Sequence, residues 1–282
     1  MVRFLDVLVW TDRSSTGETA KDRYIRVFLH VHEWYTGGDI WDEKSKAGES
    51  ISKVRKTHNA IGKAFNKKHG KSADGGIYMS QYDMAMVQAA FVAPPILLGK
   101  ALGFNSENLE DWTYFWRCLG YLLGIDDEHN ICSSTEQAVQ ICYDVMYGSV
   151  LPGLKNPPPN FKEMASAYCE GTNMMAPMPM MSLSCSIHMF YRLANTLKDK
   201  DKSKLEKNSP EWVREGLTFG DKFRIEYWKT LIVLIKIPGM RQLGNKWAVD
   251  YMTATARKSL DLEKFYNKAN GKINETCPVQ IN

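Results

Sequence analysis

His58 is the residue whose surroundings most resemble a chemical site. It lies in Lys53-Val54-Arg55-Lys56-Thr57-His58-Asn59-Ala60-Ile61-Gly62, with Arg55 one helical turn before it and Gly62 one turn after. A neutral imidazole serves as a proton acceptor or as a metal ligand. A porphyrin iron asks for such a nitrogen, for cationic donors to its propionates and for an apolar wall. Arg55 could meet the propionates, and Gly62, lacking a Cβ, would let a flat ring approach the backbone. Taken alone, an R-x-x-H pair equally describes a surface histidine beside a basic residue. Upstream, His30 falls one helical turn after Arg26 on the same face. His30 reads either as a second-choice ligand or as a polar core histidine. His32 and His69 read as surface residues.

The elements that must carry these residues are helical. Apolar residues recur at helical spacing through Ile25, Phe28, Leu29 and Val31 and again through Trp112, Phe115, Trp116, Leu119, Leu122 and Leu123, with no competing series of alternating strands. The fold class is all-α. Ser14-Ser15-Thr16 ahead of Glu18 starts a first helix that reaches Tyr35 and stops at Gly37-Gly38. A second runs from Glu49 to Lys68 before Gly70. A third runs from Ser80 to Val92, ended by Pro94-Pro95, and a fourth starts near Glu107 to Asp111 and ends at Gly124. Further helices are expected at 134–147, 160–168, 180–196, 211–219, 221–234 and 248–267. The stretch Leu151-Pro152-Gly153 through Pro157-Pro158-Pro159 reads as a loop, too short to separate two domains. One domain over residues 1–282 is expected.

Four segments, in order, resemble the family that holds latex clearing protein, a rubber oxygenase, and the ER-bound oxygenase of mycophenolic acid biosynthesis. They are Arg23-Tyr24-Ile25-Arg26, Val54-Arg55-Lys56-Thr57-His58, Ser80-Gln81-Tyr82-Asp83 through Gln88, and Phe115-Trp116-Arg117-Cys118-Leu119-Gly120 through Gly124-Ile125, the last being the most specific. The likeness spans residues 5–195 and is closest to animal members; residues 196–282 match no motif and read as a helical extension. It implies a globin-like haem-binding core, haem b held through His58, Arg55 at the haem edge, and Arg23 and Arg26 near the oxygen-binding side as the catalytic pair. It also implies a haem-dependent oxygenase that uses dioxygen on a hydrophobic alkene or isoprenoid-like substrate. Two positions depart from the pattern. Val27 stands where the family has threonine, which removes a hydroxyl donor, and Gly62 beside Lys63 stands where it has arginine. The alternative is therefore a haem or hydrophobic-ligand-binding protein that keeps the fold without turnover.

Composition excludes other classes. The 36 basic and 32 acidic residues are spread along the chain, so no block supplies the concentrated field that nucleic acid needs. Six cysteines without a C-x-x-C pair argue against a zinc ribbon, a thioredoxin motif or a disulfide scaffold, and read as reduced, buried thiols. Asn274-Glu275-Thr276 fits a glycosylation sequon of the kind that arises by chance, and the mixed Lys198–Lys207 run reads as a solvated segment. Asp6 interrupts the apolar start, which does not make a signal peptide, and no stretch is long enough to span a bilayer. A cytoplasmic location follows, with Leu231–Ile235 read as core in preference to a peripheral membrane contact. Arg117, in an aromatic helix, needs a partner, for which Asp83 and Glu110 are candidates. Asp126-Asp127-Glu128-His129 reads as a hydrated loop, and the five methionines between Met174 and Met181 read as irregular packing or as a wall of a hydrophobic cavity. No phosphate loop, nucleophile elbow, H-E-x-x-H or catalytic Cys/His signature occurs.

Overall fold

A computed structural model describes residues 2–99, 108–197, 209–237 and 239–259. The order is α1 (Val2–Thr11), α2 (Gly17–Thr36), α3 (Lys46–His69), α4 (Gln81–Leu98), α5 (Leu109–Leu123), α6 (Thr135–Val145), a π turn (Met146–Val150), α7 (Leu151–Lys155), α8 (Phe161–Met175), α9 (Leu183–Leu197), α10 (Glu211–Glu215), α11 (Phe219–Leu234) and α12 (Met240–Ser259). The fold is all-α, with no strand among the described residues. No helix among them is long and apolar enough to cross a membrane.

Local chemistry sets most helix ends. Thr16 and Thr19 close a capping box on α2, Ser80 and Asp83 close another on α4, and Thr218 and Asp221 a third on α11. Gly124 ends α5 in the left-handed region, at φ 101°, where a Cβ would be strained. Three expectations fail. α1 has no counterpart in the sequence reading. α4 continues through Pro94 and Pro95 because Leu97 and Leu98 beyond them are buried in the main core, and that burial outweighs two lost helical hydrogen bonds. Leu151–Lys155 is helical, joined to α6 through the π turn, where a loop was expected. Here Tyr191 donates to the Leu151 carbonyl at 2.6 Å and Tyr147 to that of Ala194 at 2.8 Å, tying this rod to α9.

α4 lies against α5, α6 and α9, and the main core gathers Trp34, Val92, Trp116, Leu119, Cys142 and Tyr191 around it. A buried polar junction joins α4 to α5. Gln88 Nε2 donates to the Trp116 carbonyl at 2.8 Å and to Asn130 Oδ1 at 3.0 Å, while Asn130 Nδ2 donates to the Arg117 carbonyl at 2.9 Å. Gly120 makes room for it: a Cβ there would lie 2.5 Å from Gln88 Nε2. Arg117 pairs with Asp127 at 3.2 Å, and not with Asp83 or Glu110 as expected; Asp83 is engaged by Arg3 at 3.5 Å. Leu231–Ile235 is only partly core, since Val233 and Leu234 are exposed. Met175 is buried, whereas Met174 and Met178 are exposed. The five described cysteines are buried and unpaired in disulfides, and burial pushes the Cys132 and Cys142 thiols up to about 12. Cys277, the Asn274 sequon, the Lys198–Lys207 run and the expected helix beyond Ser259 lie outside the described residues.

α2 packs against α3 on one side and α8 on the other. At the α2–α8 crossing the backbones nearly touch, for a Cβ on Gly171 would lie 2.6 Å from Lys21 N and 2.9 Å from Gly17 O. Gly171→Ala should therefore destabilise the protein by about 2 kcal/mol despite the better helix propensity of alanine. A Cβ on Gly153 in α7 meets nothing within 4 Å, so Gly153→Ala should be neutral or stabilise by up to ~1 kcal/mol. Urea unfolding midpoints of the two variants test this; equal effects would show that the crossing yields easily.

Candidate functional site

Arg23, Arg26 and His30 lie on one side of α2, and His58 and Lys53 are carried by α3, the helix packed beside it. The pairing follows from the short connection. Gly37 ends α2, and Gly48 lets the first turn of α3 press against the connecting backbone, since a Cβ there would lie 2.2 Å from the Asp42 carbonyl oxygen. Ser50, buried in α3, is the hinge of the contact. Its hydroxyl meets His30 Nδ1 at 2.7 Å and accepts from Trp34 Nε1 at 3.2 Å. The indole can only donate, so the Ser50 oxygen accepts there, and which of Ser50 and His30 Nδ1 donates in the other contact follows the tautomer of the histidine.

His58 differs from His30 in having an orphaned atom. Its Nδ1 has no access to solvent and no hydrogen-bond partner. Burial, then the nearby positive charge of Arg23, lowers the His58 pKa to about 4. His30 is also lowered to about 4, first by burial and then by Lys53, Arg26 and His58. Both rings are thus neutral at pH 7. The cations around them lose part of their hydration: Arg23 and Lys53 are half-buried, while Arg26 is more exposed. Burial, with Arg13, lowers the Arg23 pKa, and Arg23 reaches Ser14 Oγ only at 3.4 Å; burial and then Arg13 lower Arg26; burial and then Arg26 lower Lys53, with Glu33 acting in the other direction. The four residues Arg23, Arg26, His30 and His58 share one electrostatic environment.

Arg55 and Gly62 do not join it. Arg55 is exposed and donates from Nη1 to the Leu122 carbonyl at 3.3 Å, where it caps the C-terminal end of α5 beside Gly124. The space over Gly62 is filled by Met79, whose Cβ lies 3.1 Å from where a Gly62 Cβ would stand. Asn66 fixes this loop by donating to the Gly62 carbonyl at 2.7 Å and to that of Tyr78 at 2.8 Å. Gly62 thus admits a loop of the protein itself. Ser50, Lys53, Arg13 and Ser14 belong to the surroundings of the histidines and were not singled out in the sequence. Ser50 and Lys53 precede His58 on its own helix, but their relevance depends on the α2–α3 register, which no local motif states.

Among the described residues no group of three or more His, Cys, Asp or Glu side chains could hold a metal ion by itself. The arrangement offers instead one or two neutral imidazoles with cationic side chains nearby, a set suited to an anionic ligand or to a cofactor that brings its own equatorial donors. Comparison with protein-family models, with curated proteins and with solved structures finds no match to the chain.

The two half-buried histidines set a pH dependence. Their pKa values are near 4 when folded against about 6.5 when unfolded, so the unfolded chain binds more protons between those values. Their contribution to stability is present above pH 6.5 and is lost as pH falls toward 4. The urea midpoint should drop between pH 7 and pH 5, and the drop should be smaller in a His30→Gln/His58→Gln variant. An identical drop in the variant would show that neither histidine is responsible.

Proposed function

We propose that the chain binds haem b with His58 as the axial ligand and acts as a haem-dependent oxygenase on a hydrophobic, alkene-containing or isoprenoid-like substrate. The observation that carries the ligand assignment is the buried, unpartnered Nδ1 of a neutral His58. A buried ring nitrogen without a partner costs about 1–3 kcal/mol, a cost removed if the imidazole meets a group that fixes its tautomer and uses its lone pair. His58 fits the ligand role in protonation state as well, since no proton must be displaced at pH 7.

Arg23 and Arg26 fit the need for cationic donors. Their charges stand in a partly desolvated setting, where attraction to a carboxylate of the cofactor is stronger than in water. The same arginines would orient hydrogen bonds at the oxygen-binding side and hold His30 and His58 in their neutral forms. When bound, haem supplies the activation of dioxygen, and the protein's part is to hold, orient and exclude water. His30, with its Nδ1 directed at Ser50, is the second-choice ligand. Arg55 and Gly62 have no part in this reading, being committed to α5 and to Met79.

A second reading, a haem or hydrophobic-ligand binder without turnover, is favoured by one observation. His58 is shifted by burial and then by Arg23, and no carboxylate is among the causes. The oxygenase reading draws on the resemblance in four sequence segments; the binding reading draws on the site itself.

Titration of the purified protein with hemin should produce a Soret band with one equivalent bound, and His58→Ala should abolish it or weaken retention at least ten-fold. Loss of the band in His30→Ala with retention in His58→Ala would transfer the ligand role to His30. A wild-type protein that takes up no hemin would overturn both readings as far as haem is concerned. Incubation of the reduced, loaded protein with dioxygen and unsaturated isoprenoids, followed by assay for aldehyde or ketone products, separates the oxygenase from the binder.

A further inference from the structure

α11 is anchored from Asp221 to Ile232, and α12 at Met252 and Ala256. Ile225, Trp228 and Ile232 of α11 pack against Cys185 and Met189 of α9, and Trp228 Nε1 donates to the Met180 carbonyl at 3.0 Å. Met252 and Ala256 of α12 pack with Ile25 and Met175. Between these anchors the chain stands away from the bundle. From Val233 to Asp250 every described residue is exposed except Ile235 and Arg241, which are half-buried.

This elbow is apolar where a bare surface helix should be polar. Val233 is 63% exposed, Leu243 67% and Trp247 57%, and Leu234, Ile237 and Met240 are exposed with them. On α12 the positions of Met240, Leu243, Trp247 and Tyr251, spaced by three and four, form one stripe, and Trp247 stacks on Tyr251 with centroids 5.6 Å apart. Lys246 and Arg241 fall on opposite flanks of that stripe, and Lys236 lies in the connecting turn. Between Tyr227 and Val249 the sequence holds Lys229, Lys236, Arg241 and Lys246 and no Asp or Glu. Lys229 is paired with Glu226, and Lys236 and Lys246 are exposed.

We infer that the α11–α12 elbow docks on an anionic lipid surface, lying in the interface without crossing it. Apolar side chains at a projecting tip, an edge tryptophan, and basic residues flanking the stripe with stems long enough to reach the headgroups are the features such a surface selects. A bilayer rich in acidic lipid supplies both the apolar depth for Leu243 and Trp247 and the negative potential for Lys236 and Lys246. The anchored ends, Ile225 to Ile232 and Met252 to Ala256, keep the rest of the protein on one side. The inference is independent of haem binding.

Flotation of the full chain with vesicles of phosphatidylcholine containing about a third phosphatidylserine, compared with phosphatidylcholine alone, tests it. Strong binding to the acidic vesicles at low salt, weakening as salt rises, is the expected result. Leu243→Glu/Trp247→Glu should reduce binding at least ten-fold with an unchanged circular dichroism spectrum and thermal midpoint, because both side chains are exposed. Lys236→Gln/Lys246→Gln should lose the preference for acidic lipid. Absence of flotation at low salt overturns the inference, as does a Leu243→Glu/Trp247→Glu variant that floats like the wild type. Self-association through the same residues without flotation would make the elbow a protein interface and equally overturn it.

Discussion

The site depends on how closely two backbones can run. At the α2–α8 crossing Gly171 faces Gly17 O and Lys21 N at distances that leave no room for a methyl group, and Ala20 beside them is wholly buried. Once α2 is seated on α8 in this way its rotation is fixed, since a helix locked by small residues in a crossing cannot turn without opening a gap. α3 then follows through a connection held by Gly37 and Gly48, and the facing registers bring Ser50 to His30. A change in either close approach would displace both imidazoles from the arginines.

What the bundle gains in apolar contact it partly gives back along α2. Desolvated guanidinium groups, an ammonium group losing solvent and two rings kept neutral are costly companions in a small volume, and hydrophobic burial elsewhere offsets them. The Gln88–Asn130 junction at the opposite side of α5 shows how the same chain handles structural polarity: donors there are matched to carbonyls and to an amide oxygen, although Gln88 Oε1 is left without a partner. At His58 the matching is absent. A fold that pairs most of its buried polar atoms in one place and leaves an imidazole nitrogen bare in another marks the second place as a candidate for chemistry.

The all-helical class was legible because apolar residues recur at helical spacing, and several helix ends were legible because capping residues and glycine stops are local signals, as Thr16, Gly37, Gly70 and Gly124 show. His30 was legible beside Arg26 because helical spacing puts them on a shared face, whereas Arg23, Arg26 and His58, on two helices, were brought together only by the resemblance of the segments that carry them. What Arg55 and Gly62 meet was not legible for one reason: spacing tells which residues share a face, and says nothing of what that face meets. Arg55 finds a helix end and Gly62 finds Met79, both contributed by distant segments. The motif residues most recognisable in α4 and α5 turn out to be structural: Gln81 bonds the Gly124 carbonyl at 3.0 Å, Gln88 spans to Trp116, and Gly120 clears the space between. α1 was missed because a helix of ten residues depends on tertiary contacts such as Arg3 to Asp83.

The double proline of α4 has a mechanical side. Two successive residues without an N–H leave the carbonyls of Ala90 and Phe91 without their helical donors, so the ladder lacks two adjacent rungs just before the Ile96–Leu98 end enters the core. The resistance of that last turn to bending comes mainly from side chains wedged against their neighbours and less from the backbone. α4 therefore acts as a rod with a compliant tip: its stiff first turns hold register against α5, while its end yields to whatever volume the core must take up.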